Sequence, residues 1–288
     1  MLGVLGGSGV YTIDGLAGAR FEKIETPFGA PSDEILVGEL AGTPVAFLPR
    51  HGRGHRIPPS EINYRANIDA LKRVGATDLV SVGACGSLRE DLPPGTFVLV
   101  DQFVDRTFAR AKSFFGTGCV AHVSMARPVC SRLGYLLESA ARARGIPAGR
   151  GGTYLAMEGP HFSSRAESEL YRSWRCDVIG MTNMPEAKLA REAELPYATV
   201  AMVTDYDCWH PDHDHVQVSD VILVFNDNAD KVRRLVRRVM RKLGPERTPS
   251  PLGIEHVLDF ALITAPEKRD PALMKKLDAV AGRVLGKA

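Results

Sequence analysis

Short apolar, β-branched runs alternate along this chain with longer stretches in which apolar residues recur at helical spacing. Runs at 2–5, 33–40, 44–48, 78–83, 96–101, 151–157, 177–182 and from Thr199 to Asp205 read as strands, several apolar enough to be covered on both faces. Apolar spacing over 62–74, 132–144, 166–174, 185–193 and 219–243 predicts helices, with Ser60 as the N-cap of the first. Residues 101–107 read as irregular. Residues 109–126 read as a long connection of the kind that carries function or an interface. Strands that keep alternating with helices predict an α/β fold: a single domain with a mixed, mostly parallel central sheet flanked by helices, over residues 1–243. Residues 244–252, with three prolines, read as a linker. Beyond them Ile254, Val257, Leu258, Ala261 and Leu262 are spaced for one short amphipathic helix and 271–285 for another, so that 244–288 forms a linker and helical extension.

The 288 residues are 44% hydrophobic, enough for a sizeable core. Lys plus Arg is 36 against 34 for Asp plus Glu, which argues against nucleic-acid binding driven by overall charge. No apolar run approaches the roughly 18–20 residues of a membrane span, and the first residues lack the basic region of a signal peptide. Cys85, Cys119, Cys130, Cys176 and Cys208 are scattered, odd in number and form no CxxC, as expected of reduced thiols in a cytoplasmic protein. His210, His213 and His215 gather in HPDHDH, but their spacing is no recognised ligand pattern. The stretch reads as a solvated loop, and no metal is expected.

The run from Thr199 ends in Asp205 and Asp207. A strand has period two, so both carboxylates are expected to point the same way from its end. Ligands of open α/β sheets bind beyond the carboxyl ends of strands, and two adjacent acids there can share one proton. The glycine loop GGSG carries Ser8, whose hydroxyl and neighbouring backbone suit an anion. Arg50 and His51 follow a strand directly, and an Arg offers a planar fork to phosphate oxygens. Residues 84–88 read as a small-residue loop whose N–H groups face a ligand.

These stretches — GGSG, PRHGRGHRIPPSEINYRAN, SVGACGSL, EGPHFSSRAE, GMTNMPEAKLARE and VTDYDCW — fall in the order seen in trimeric purine nucleoside phosphorylases. The chain resembles their 5′-methylthioadenosine phosphorylase branch over residues 1–243. The resemblance implies phosphorolysis of 5′-methylthioadenosine to adenine and 5-methylthioribose 1-phosphate by a homotrimer. Inorganic phosphate is then a co-substrate, and no cofactor is needed. By position it assigns phosphate contacts to Ser8, Arg50, His51, Ala84 and Thr182, and base contacts to Phe162, Asp205 and Asp207. Ile179 and Met181 would line base and ribose. His122, from a neighbouring subunit, would wall the 5′-substituent with Val218 and Val221. Asp205 would protonate N7 of the leaving purine, its pKa raised by burial and by Asp207.

The chain departs from the family at two positions. Gly83 stands where animal members carry a phosphate-touching threonine, and His161 where many carry arginine. Two other functions fit the same residues: a phosphorylase of 6-oxopurine nucleosides or methylthioinosine, and a nucleoside-binding protein without turnover. Phosphate-dependent release of free base separates the last from the others.

Overall fold

The computed structural model describes residues 1–6, 15–212, 218–243 and 247–286, with the side chains at 218–222 and 225–227 outside the described set. In chain order the first elements are β1 (Leu2–Gly6), β2 (Leu16–Glu22), β3 (Ile35–Leu40), β4 (Thr43–Pro49), α1 (Tyr64–Arg73) and β5 (Asp78–Ser87). There follow β6 (Phe97–Leu99), β7 (Gln102–Asp105), α2 (Ser131–Arg142), β8 (Ala148–Arg150), β9 (Thr153–Ala156) and α3 (Arg165–Ser173). The last are β10 (Val178–Gly180), α4 (Asn183–Glu192), β11 (Tyr197–Asp205), α5 (Val218–Leu243), α6 (Pro271–Lys276) and α7 (Asp278–Leu285).

All eleven described strands join one sheet, and six of its ten pairings are parallel. β1 and β5 are its centre, with β4, β3 and β2 extending one side. Beyond β5 the sheet divides. β11 runs parallel to β5 for most of its length, while β10 pairs antiparallel with Gly86 and Ser87. α1 and α4 cover one core and α2 and α5 the other, so the central strands are apolar on both faces. A third, smaller cluster gathers Leu88, Leu155, Tyr171, Cys176, Ile179, Tyr206 and Trp209 behind the forked end.

The elements depart from their predicted outlines where tertiary partners intervene. β5 continues through Ser87, so Ala84 lies in a strand opposite Met202 and not in a loop. Residues 102–105, expected irregular, are strand because β9 supplies a parallel partner. The run expected at 151–157 is strand only over Thr153–Ala156, because Gly151 and Gly152, both at positive φ, turn the chain between β8 and β9. α1 is capped by Asn63, which accepts from the Ala66 N–H, while the Ser60 hydroxyl donates to Glu158.

The C-terminal residues pack on the sheet domain. Arg247 pairs with Asp78 at 2.8 Å and Arg283 with Glu194 at 2.5 Å. Residues 254–262 make only one 3₁₀ turn, Ile254–His256, before their backbone turns to another task. The His122 N–H donates to Ala261 O and the Ile263 N–H to Val120 O, both at 2.9 Å, forming a bridge between Ala121 and Leu262. The predicted final helix is broken at Leu277 into α6 and α7.

The connection after β7 is held by buried charge. Arg110, whose side chain is 1% exposed, pairs with Glu158 at 3.0 Å. Its guanidinium also donates to the carbonyls of Met181 and Met184, both at 2.6 Å, and to that of Glu158 at 2.5 Å. Burial opposes the charge on Glu158, yet hydrogen bonds from Ser60, Phe108 N–H, Ala109 N–H and Arg110 pull its pKa down to about 2. Glu192 accepts from Ser113 Oγ and Phe114 N–H, both at 2.7 Å. Burial pushes its pKa from 4.5 up to about 7.

Two outcomes follow. Arg110→Met leaves Glu158 buried without its cation and should cost about 3–5 kcal/mol by chemical denaturation. Adding Glu158→Gln should recover part of that loss; a double variant no more stable than the single one contradicts the ion-pair account. At Glu192 the folded state binds the proton more tightly than the unfolded chain. Its contribution is fully present below about pH 4.5 and is lost as pH rises through about 7. Glu192→Gln can keep both hydrogen bonds, so at pH 8 it should be more stable than wild type by up to about 3 kcal/mol. At pH 4 the two should converge; parallel stability–pH curves would dismiss the effect.

Candidate active site

Arg50, His51, Ala84, Ile179, Thr182, Asp205 and Asp207 lie on or just after β4, β5, β10 and β11, toward the end where the sheet forks. Two glycines of β5 mark the two ends of the group. A Cβ at Gly83 would sit 3.4 Å from Arg50 Nη1 and 3.8 Å from Thr182 Oγ1. A Cβ at Gly86 would sit 2.8 Å from Asp205 Oδ1, 3.2 Å from Ile179 Cγ2 and 3.3 Å from Asp207 Cβ. The first glycine brings the anion-compatible side chains together. The second lets the acid pair approach the strand.

Arg50 is 1% exposed. Its Nε donates to Glu186 Oε2 at 3.1 Å, Nη1 to Val82 O at 2.9 Å, and Nη2 to Leu5 O at 3.0 Å and Ser81 Oγ at 2.6 Å. Glu186 is held in turn by the Tyr197 hydroxyl at 2.8 Å. The charge of Arg50 is therefore already matched inside the protein, and removing the guanidinium would strand a buried carboxylate. His51 is buried, and its Nδ1 lies 2.9 Å from Ile57 O. A carbonyl only accepts, so Nδ1 carries the proton and Nε2 of the neutral ring is an acceptor. Burial pushes its pKa down to about 4, so His51 adds no positive charge near neutral pH. Thr182 stands at the start of α4 and makes no capping bond with its side chain. Ser8 lies outside the described residues.

Asp205 ends β11 after a register shift between Val203 and Asp205, the local signature of a bulge. Asp207 does not continue the strand. It takes φ +53 and its N–H donates back to Asp205 Oδ1 at 2.8 Å. The pair is thus brought together by a tight turn and not by the period of a strand, which corrects the expectation drawn from the sequence. Thr204 Oγ1 donates to Asp205 Oδ2 at 2.7 Å. Burial raises the pKa of Asp205, and the charge of Asp207 raises it further, while the two hydrogen bonds pull the other way. Asp207 is only 5% exposed, and burial raises its pKa too. Its Oδ2 and the Ser168 Oγ are buried without a hydrogen bond of good geometry among the described residues. The Ser168 and Ser163 hydroxyls still lie near enough to favour the charged carboxylate.

Ile179 packs beneath Gly86, and Met181 packs against the backbone at Gly159, 2.6 Å from a Cβ placed there. Phe162 is 45% exposed in the loop before α3. His122 is exposed on the loop paired with residues 261–263. Val218 and Val221 open α5, but their side chains lie outside the described residues. Of the histidine group, 213 and 215 are likewise outside. His210 is buried against Tyr206 and Trp209 with Nε2 3.0 Å from Glu90, so that position is not solvated. No group of three or more metal-ligating side chains occurs among the described residues. All five cysteines are free, four of them buried.

Glu186, Arg110, Glu158 and Trp209 carry no assigned role in the sequence pattern, and Gly86 enters it only as part of the 84–88 stretch. Glu186 lay in a quoted motif and Arg110 in the long connection. Their signal was a charge amid apolar neighbours, which becomes informative only once burial is known.

Residues 1–241 match the phosphorylase superfamily model. A relative from Cereibacter sphaeroides named S-methyl-5′-thioadenosine phosphorylase is 65% identical over 99% of this chain and 98% of its own. One of the same name from Rhodospirillum rubrum is 64% identical over 99% and 97%. A crystal structure of methylthioadenosine phosphorylase sourced from an antarctic soil metagenomic library superposes with a TM-score of 0.92 at 46% identity, covering 97% of this chain and 98% of that one. The forked parallel sheet, the glycine-lined strand end and these likenesses agree, and the chain belongs to the phosphorylase superfamily.

Proposed function

We propose that this protein cleaves 5′-methylthioadenosine with inorganic phosphate, giving adenine and 5-methylthioribose 1-phosphate. The observation that carries the reading is the acid pair at Gly86, one carboxyl of which is raised in pKa by burial and by its neighbour. The relatives named for this reaction support it.

Adenine is a poor leaving anion, so a proton from Asp205 to N7 lets the C1′–N9 bond break with its electrons on a neutral base. The ribosyl carbon becomes cation-like, and a phosphate oxygen closes on it from the other face. Arg50, Thr182, His51, the Ala84 backbone and Ser8 hold phosphate there. Arg50 and Glu186 offset one another and His51 is neutral. The site therefore works through oriented hydrogen bonds and not through surplus positive charge, with His51 Nε2 accepting from a hydroxyl of the phosphate. Asp207 accepts from the 6-amino group, which is a donor. A 6-oxo group is an acceptor and pairs poorly with an ionised carboxylate. Phe162, Ile179 and Met181 line base and ribose. The subunits form a homotrimer in which His122 of one chain, with Val218 and Val221 of the next, walls the methylthio group. The exposed Phe260 (97%) and Ile263 (64%), beside the paired His122 loop, are consistent with a covered face. The catalytic domain is 1–243, with 244–288 its extension, and the protein works in the cytoplasm on purine and methionine salvage.

Base release followed with and without phosphate over a nucleoside panel tests the chemistry. Methylthioadenosine should turn over first, adenosine more slowly, inosine and methylthioinosine poorly, with pentose 1-phosphate seen by mass spectrometry. Equal release in phosphate-free buffer sinks the phosphorylase reading, and faster methylthioinosine sinks the adenine preference. Asp205→Asn should cut turnover by roughly 10²–10⁴-fold. For the assembly, light scattering should report three chains, and His122→Ala should raise the KM for methylthioadenosine more than that for adenosine. A fully active monomer contradicts the shared site.

A further inference from the structure

Asp207 holds a left-handed backbone conformation that is strained for a non-glycine residue, so something must impose it. The turn at 206–210 is stitched to the exit of β5 at three points. Trp209 Nε1 donates to Ser87 O at 2.8 Å in a buried bond. The Tyr206 hydroxyl reaches Glu90 O at 3.4 Å, and His210 Nε2 lies 3.0 Å from Glu90 Oε1. The Tyr206 ring meets the indole edge-on at 5.8 Å and 86°. The Arg172 guanidinium lies 3.6 Å over the indole while its Nε donates to Leu88 O.

Ser87 is the residue after Gly86, the glycine against which Asp205 Oδ1 and Asp207 Cβ are seated. The acid pair therefore hangs between two attachments to one dipeptide of β5: contact at Gly86 and the indole bond at Ser87. Trp209 itself is 5% exposed and packs in the cluster behind Ile179, so it acts through this carbonyl. We propose that Trp209, capped by Arg172, is a positioning residue that fixes the separation of Asp205 and Asp207 and so sets their proton affinity. This rests on the reading of Asp205 as the proton donor.

Two variants separate positioning from packing. Trp209→Phe keeps a ring beneath Arg172 and against Tyr206 but deletes the N–H. Arg172→Met leaves the indole bond and removes its cap. Besides each other, Asp205 and Asp207 are influenced by Cys85 on β5, Glu167 and Tyr171 on α3 and Cys208 on the turn, all of which both variants leave in place. With the turn loosened, Asp207 repels Asp205 less and water solvates it more, so Asp205 ionises more easily.

In Trp209→Phe, kcat for methylthioadenosine should fall about tenfold, short of the loss of the acid itself, with the phosphate KM unchanged. The alkaline limb of kcat/KM should move to lower pH by about half a unit or more. Arg172→Met should move both in the same direction by less. If Trp209→Phe folds and keeps kcat and the limb within about twofold of wild type while its Tm falls, the indole only packs and the proposal is overturned. If Trp209→Phe does not fold, Arg172→Met decides: an unchanged limb overturns it. A wild-type enzyme that releases no base from methylthioadenosine with phosphate present sinks the functional reading instead, which keeps the two failures apart.

Discussion

The buried pairing of Arg50 with Glu186 is the contact on which the rest of the site depends. One guanidinium binds the carbonyls of Leu5 on β1 and Val82 on β5, the Ser81 hydroxyl, and a carboxylate on α4 that also holds Tyr197 of β11. Desolvating both charges costs several kcal/mol per ion, and only this full set of partners offsets it. In return β1, β5, β11 and the first turn of α4 are tied to one guanidinium that follows β4. The proposed phosphate end of the site is thereby held in place by the protein's own bonds, which is what an electrostatic catalyst requires.

The acid end follows a different logic. There the backbone comes close because a side chain is missing at Gly86, and the pKa of Asp205 rises because water is excluded and a second carboxylate is near. Neither end relies on a strong isolated charge. Arg50 is matched by Glu186, His51 is neutral, and Asp205 resists ionisation beside Asp207. A site of this kind can accept a phosphate and a nucleoside together without holding either product by surplus charge.

The alternation of apolar runs with helical spacing was enough to read the α/β class and the strands from β3 to β11 that are covered on both faces. β7 and β2 were harder, since QFVD and LAGARFE carry no clean period and become strands through their neighbours. At the site, Asp205 was legible as the end of an apolar run. The geometry of Asp207 was not, because the left-handed turn that aims it is tied through Trp209 to Ser87, a β5 residue far from it in sequence. The connection after β7 was legible as important but not as ordered. Arg110 organises it by binding carbonyls at 157–158, 181 and 184, and sequence spacing does not report such bonds.

Gly86 carries one more consequence, for how such a site can vary. Every side chain other than hydrogen at this position would enter the space of Asp205 Oδ1. The element that sets the distance between strand and acids is therefore the one with no substitutes. Diversification has to proceed around it: at the two acids, at Ser163 and Ser168 behind Asp207, and at the wall formed by Ile179. A library randomised at those positions explores base preference while the ruler stays fixed; one randomised at Gly86 explores only loss.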